Sequence, residues 1–469
     1  MQKSTLIEII RSLNKKEVRE INKWLLSPAH NHREDVVQLF DCVIKYWNKT
    51  NTVLEKEQTW AVIFPKTPYD DAFMRQIMYF LLKSIEEYLV FNDSINDLTK
   101  YQLSLMRSYR QRNLEKSYNQ SHRIVQEGLQ RQPLRDNNFL HNHFLIEQEY
   151  RHWSIGTQNV SANLQQTADA LEKWFIAEKL HVSYAMLAHR SVYKTANYDE
   201  GMINALLDYV QKKDWINEPA IALYYYAYKV LTEPNEETHF DRLEQLLSMH
   251  ESNFTASEFR TLYVAALNYC TAKINQGVSS YFRRVFELYK NGLEKGYLLD
   301  NNIVSIYTFG NTVAAAIKIG EFDWAEQFIQ NFKPYLEEKQ RNSIANFNLS
   351  RIYFEKKDYN KAQKLLAQFE YDDMLFNIIA KTMLLKIYYE QDEYDAFESL
   401  IESMRIYLQR KEALAPARKN SYKNMLSLMK KMLHLDVYNR KQREEFAELV
   451  RNTNPLAERE WLLKVIERG

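Results

Sequence analysis

Leu349-Ser350-Arg351-Ile352-Tyr353, then Lys357-Asp358-Tyr359-Asn360-Lys361-Ala362, then Leu365-Leu366 is the stretch on which the fold turns. Tyr388 stands thirty-five residues after Tyr353, and Tyr394 thirty-five after Tyr359. A period of this length in a helical pattern marks a repeated helix–turn–helix unit. Two short amphipathic helices cannot bury their shared apolar face alone, so stacked neighbours extend one core along the chain. Small residues let the paired helices approach closely, and an aromatic ring fills the gap beside them.

Tyr353–Leu366 resembles the end of helix A, the turn and the start of helix B of the tetratricopeptide repeat. Ser350 and Tyr353 stand where that family has a small residue and an aromatic. Lys357-Asp358-Tyr359 matches its Gly-Asp-Tyr-like turn, and Ala362 and Leu366 match its small and large helix-B positions. The next unit reads Leu385, Tyr388, Glu393-Tyr394, Phe397 and Ile401, departing from the pattern at Leu385 and Phe397. The preceding unit reads Ala316, Gly320-Glu321-Phe322, Ala325 and Ile329, offset by 37 rather than 35. Asn197-Tyr198-Asp199-Glu200-Gly201 is an isolated earlier echo. The resemblance is clearest over 301–410. It implies an all-α protein: an α-α superhelix, or tetratricopeptide-like solenoid, over 93–415, preceded by a helical bundle at 1–92 and closed by capping helices at 416–469. A helical bundle ahead of such an array is similar in layout to peptide-sensing bacterial regulators.

Composition supports the helical reading. The 469 residues include 9 Gly and 9 Pro, roughly 2% each against typical usages of about 7% and 5%. Tight β-turns and βα crossovers consume glycine, so at least about fifteen helices of ordinary length and no sheet are expected. Ser27-Pro28, Phe64-Pro65, Gln132-Pro133, Glu218-Pro219, Glu233-Pro234 and Ala415-Pro416 mark breaks between apolar-periodic segments. Cys42 and Cys270 are the only cysteines, which allows no disulfide framework and no cysteine-based zinc site. Glu8 and Arg11 interrupt any signal-like start, and no apolar run approaches the roughly 20 residues of a membrane span. A cytoplasmic protein without membrane contact is the resulting expectation.

The net charge of +1 gives no global attraction to nucleic acid. Two basic stretches exist, Arg107 to Arg135 and Arg418 to Arg443, and such runs are mostly solvated helix faces. Phosphate-binding glycine loops, His-Glu-x-x-His and Gly-x-Ser-x-Gly are all absent. His141, His143, Glu147, Glu149 and His152 have helical spacing, but a di-iron site would need a second Glu-x-x-His copy. These residues read as polar helix surface. Cys42 sits in an apolar helix, where a thiol behaves as a small hydrophobe. The expectation is therefore no enzyme, no cofactor and no metal site.

In the resembled family, helix A lines a concave face. Carried over by position, that face takes Tyr307, Gly310, Ala314 and Ile317, then Ile344, Phe347, Arg351 and Phe354, then Ile379, Thr382, Lys386 and Tyr389. Phe347, Arg351, Phe354, Lys386 and Tyr389 are the expected partner-binding residues. Arg351 and Lys386 act as exposed charges beside the three aromatic rings. The resemblance implies a non-enzymatic scaffold or adaptor binding an acidic, apolar-containing peptide or protein segment. The alternative is a transcriptional or RNA-linked regulator using the N-terminal bundle or the basic 418–443 face; the near-neutral charge counts against it.

Overall fold

The structure, a computed structural model, describes residues 1, 3–50, 55–156, 162–193, 195–367, 374–410, 415–435 and 439–468. The described residues are almost entirely helical, as the composition requires. Contacts divide the chain into two compact units, Met1–Tyr225 with Ser252–Phe254, and Tyr226–Glu251 with Thr255–Gly469.

The first unit opens with α1 (Thr5–Ser12), α2 (Lys15–Leu26), α3 (Glu34–Thr50), α4 (Lys56–Ile63) and α5 (Asp71–Asn96). Asn14 starts α2 with a capping box: its side chain accepts the Lys16 and Glu17 amides, and Glu17 accepts the Asn14 amide at 2.8 Å. Asp70 caps α5 by accepting the Ala72 and Phe73 amides, without the reciprocal bond. Leu6, Ile10, Ile21, Phe40, Ile77 and Leu81 belong to one core that ties these helices together. There follow α6 (Leu98–Gln111), α7 (Glu115–Arg131), α8 (Asn137–Gly156), α9 (Leu164–Val192), α10 (Ile203–Lys212) and α11 (Pro219–Thr232), the last crossing into the second unit. α6 packs on α7, and α8 on α9.

The second unit continues with α12 (Glu237–Met249), α13 (Ala256–Asn275), α14 (Tyr281–Glu294), α15 (Ile306–Lys318), α16 (Phe322–Phe332), α17 (Arg341–Glu355), α18 (Tyr359–Leu366), α19 (Met374–Glu390), α20 (Tyr394–Arg410), α21 (Pro416–Met432), α22 (Arg440–Asn452) and α23 (Arg459–Arg468). α15 packs against both α16 and α17, and α17 against both α18 and α19. Each helix thus meets its hairpin partner and the first helix of the next hairpin.

One turn recurs at the sequence period. Gly320, Lys357 and Asp392 all have left-handed backbones, with φ of 82°, 62° and 58°. In each case the left-handed residue donates to the carbonyl three before it, and the next residue to the carbonyl five before it: Glu321 to Ala316, Asp358 to Tyr353, Glu393 to Tyr388. This is the Schellman motif, which satisfies carbonyls that a helix end leaves unpaired. Asn113 between α6 and α7 and Gly277 between α13 and α14 close their hairpins with the same pair of bonds. The period also carries burial. Ala325, Ala362 and Phe397 are equivalent and fully buried, as are Val313, Ser350 and Leu385. Leu385 and Phe397, the two departures from the repeat, fill the same seam with larger side chains.

The expectation of no sheet fails at one place. β1 (Leu299–Asp300) pairs antiparallel with β2 (Ile303–Val304) between α14 and α15. The intervening Asn301 and Asn302 have φ of 49° and 62°. Asparagine reaches the left-handed region more easily than other non-glycine residues, so this tight hairpin forms without the glycine that the composition argument assumed it needed.

Two substitutions test the hairpin register. Ala362 has no exposed surface, so Ala362→Leu should lower stability by about 1–3 kcal/mol through overpacking. Lys361 is exposed and pairs with Asp358 at 2.7 Å; Lys361→Ala should cost less than roughly 0.5 kcal/mol. Chemical denaturation of both variants checks the contrast, and equal midpoints would refute the register. At the turn, Lys357→Gly should raise stability by up to about 1 kcal/mol, since relief of left-handed strain exceeds the added entropy of the unfolded chain.

Candidate functional site

The helix-A faces of three successive hairpins converge on a cavity of about 270 Å³ in the second unit. Ala314 and Ile317 come from α15, Arg351 and Phe354 from α17, and Ile379, Thr382 and Lys386 from α19. All seven belong to the face expected from the repeat. Ala314, Arg351 and Lys386 are equivalent positions, separated by the same 37 and 35 residues as the turns. Lys318, Glu355, Met383 and Glu458 complete the lining. The volume falls just below the usual range of ligand pockets, about 300 to 1,000 Å³. It suits one or two side chains rather than a large cofactor.

Arg351 is the centre of the site. Its Nη1 donates to the Gly310 carbonyl and to Asn348 Oδ1, each at 3.1 Å. Asn348 is fully buried and is itself oriented by donating to the Ile344 carbonyl at 2.9 Å. Among the described residues no carboxylate makes an ion pair with Arg351, and its Nε and Nη2 donate to no protein acceptor. Burial pulls the guanidinium down to about 10, with Glu355 acting weakly in the opposite sense. The group stays cationic at neutral pH. A largely buried cation held only by neutral acceptors carries a desolvation cost that a facing anion would offset.

The remaining expected binding residues divide. Phe354 lines the cavity, 5.8 Å from the Lys386 ammonium. Phe347 does not reach it. Its side chain is buried in the core, edge-on to Phe376 at 5.2 Å, with the Arg351 guanidinium 6.0 Å from the ring. Phe347 supports the arginine from within instead of offering area to a partner. Tyr389 is partly buried and packs on Trp461 and Phe397, at 5.6 and 5.8 Å. Lys386 is not the exposed charge expected: its side chain is 14% exposed and bonds to the Glu458 carboxylate. Both cations are drawn inward because helix A is covered by its successor and by the segment before α23. Asn348 and Glu458 were missed by the sequence reading. Glu458 is 72 residues from Lys386, beyond any local pattern.

The other clusters singled out in the sequence serve packing. Glu149 is buried and pairs with Arg110 at 2.7 Å, and the Tyr118 hydroxyl donates to the Glu149 carbonyl at 3.0 Å. Glu147 is also buried and accepts from Asn163 at 2.6 Å. Neither is a surface carboxylate. Among the described residues no group of three or more His, Cys, Asp or Glu is placed to hold a metal ion. In the basic stretches, Arg123 and Arg131 pair with Glu127, Lys430 with Glu402 and Arg440 with Glu444. Among the described residues no helix is long and apolar enough to cross a membrane. A second cavity, of about 310 Å³, lies beside Phe259, Tyr263 and Tyr297. Of its charged groups, Glu251 pairs with Lys295 and Glu244 with Arg284.

No protein-family model matches the chain, and no curated protein matches it. The reading of the site therefore rests on its own geometry.

Burial raises the Cys42 thiol and pushes the Cys270 thiol up to about 12. The nucleophilic thiolate is then scarce at neutral pH. Ellman's reagent should label neither cysteine over the first minutes in the folded protein and both in concentrated guanidinium. Rapid labelling of the folded chain would show that one thiol is accessible and ionised.

Proposed function

We propose that the chain is a non-enzymatic adaptor whose second unit holds a tetratricopeptide-like array and binds a peptide or protein segment there. The observation that carries this reading is Arg351, a largely buried cation with unspent donors facing a cavity built from repeat-equivalent positions. The recurrence of the same left-handed turn at the sequence period supports the repeat assignment. Ile317, Phe354, Ile379 and Met383 give the cavity apolar walls, while Lys318, Arg351 and Lys386 outnumber Glu355 and Glu458. An acidic residue flanked by apolar ones matches both features, since a carboxylate accepts strong charge-assisted bonds from a guanidinium. The apolar neighbours supply buried area.

The test uses dye-labelled ten-residue peptides alternating Glu with Leu or Phe, against matched peptides carrying Gln. Fluorescence anisotropy should show binding of the acidic set only, weakened by added salt. Arg351→Met keeps length and apolar packing while removing the charge. It should abolish that binding and lower stability by about 1–3 kcal/mol, because the fully buried Asn348 Oδ1 loses its donor; circular dichroism confirms that the variant is folded. Equal binding by Arg351→Met and the wild type would place recognition elsewhere.

A further inference from the structure

Glu458 occupies the place in the cavity that a partner's carboxylate would take. It lines the same wall as Arg351 and bonds to Lys386, whose ammonium also lies 5.8 Å from the Trp461 ring. The segment that delivers it is held onto α21. The Ala457 amide donates to the Ser421 carbonyl at 3.3 Å, and Asn424 Nδ2 to the Pro455 carbonyl at 2.8 Å. Arg459 Nη2 closes the loop by donating to the Thr453 carbonyl at 2.6 Å. Glu458 itself has φ of 57°. This left-handed conformation is strained for a residue with a long side chain, and glycine would adopt it freely. The backbone of the turn into α23 thus does not call for glutamate. Its carboxylate favours the positive end of α23 and, by reaching Lys386, places an anion in the cavity.

We infer that Glu458 is a resident stand-in for the ligand. A glutamate or aspartate side chain of the bound segment displaces it, takes Lys386, and uses the unspent Nε and Nη2 donors of Arg351. The contact is non-covalent, so the exchange is one carboxylate for another. Because Glu458 is tethered, it competes at high effective concentration. The site in the resting chain is partly self-blocked, and its apparent affinity falls by the fraction of molecules in which Glu458 is displaced. This inference rests on the segment-binding reading above and adds to it the ligand's anchoring group and an internal competitor.

The experiment titrates the same Glu/Leu and Glu/Phe peptides into the full chain and into Glu458→Gln, which keeps the shape and removes the charge. Binding to Glu458→Gln should tighten by about tenfold or more if the blocked form dominates at rest. Adding Lys386→Met in that background should remove the gain. Glu458→Gly, which also relieves the backbone, serves as a second unblocked variant and should tighten binding in the same sense. Equal or weaker binding by both unblocked variants, with folding confirmed by circular dichroism, overturns the inference and leaves the adaptor reading standing. Binding to neither the wild type nor the variants overturns both.

Discussion

Everything in the second unit depends on how a pair of short helices is closed. Each helix has one apolar stripe, and the pair is stable only if both stripes meet at once and find a third helix to cover what remains. The closing turn must reverse the chain within a few residues and still satisfy the last carbonyls of the first helix. The left-handed residues Gly320, Lys357 and Asp392 do both. Because the reversal is the same each time, Ala325, Ala362 and Phe397 fall into one seam. The same registry carries Ala314, Arg351 and Lys386 to a common cavity. The cavity wall is thus a by-product of the rule that closes the hairpins.

The molecule handles buried charge in two ways, and the contrast gives the site its meaning. At Glu149 and Arg110 opposite charges are paired inside one unit, and the arrangement fixes α6 against α8. Around the second cavity, Glu251 pairs with Lys295 and Glu244 with Arg284, all of them partly exposed. Arg351 departs from that habit, with only a backbone carbonyl and an amide oxygen for company. Arg351 is thus a cation beside apolar walls without a carboxylate partner, and that is the electrostatic basis of the anion-binding reading proposed above. Lys386 stands between the two cases. Its partner Glu458 comes from a strained loop position, and a contact of that kind can be exchanged.

The sequence by itself determined the class of the fold, the period, the hairpin register and most of the cavity wall. Each of these follows from local periodicity: Gly scarcity suppresses sheet, and helical spacing decides which side chains share a face. Hence Ala314, Ile317, Arg351, Phe354, Ile379, Thr382 and Lys386 could be named before any coordinates. The tertiary structure decided what covers that face. Phe347 and Arg351 lie one helical turn apart on α17, yet the first is packed into the core against Phe376 and the second opens to the cavity. Lys357 in a left-handed turn and the hairpin at Asn301-Asn302 were likewise set by how neighbouring helices must meet. Glu458 reaches Lys386 only because the segment before α23 is braced on α21. Periodicity carries information over a few residues, whereas burial and charge pairing depend on surfaces that come together only when distant helices pack.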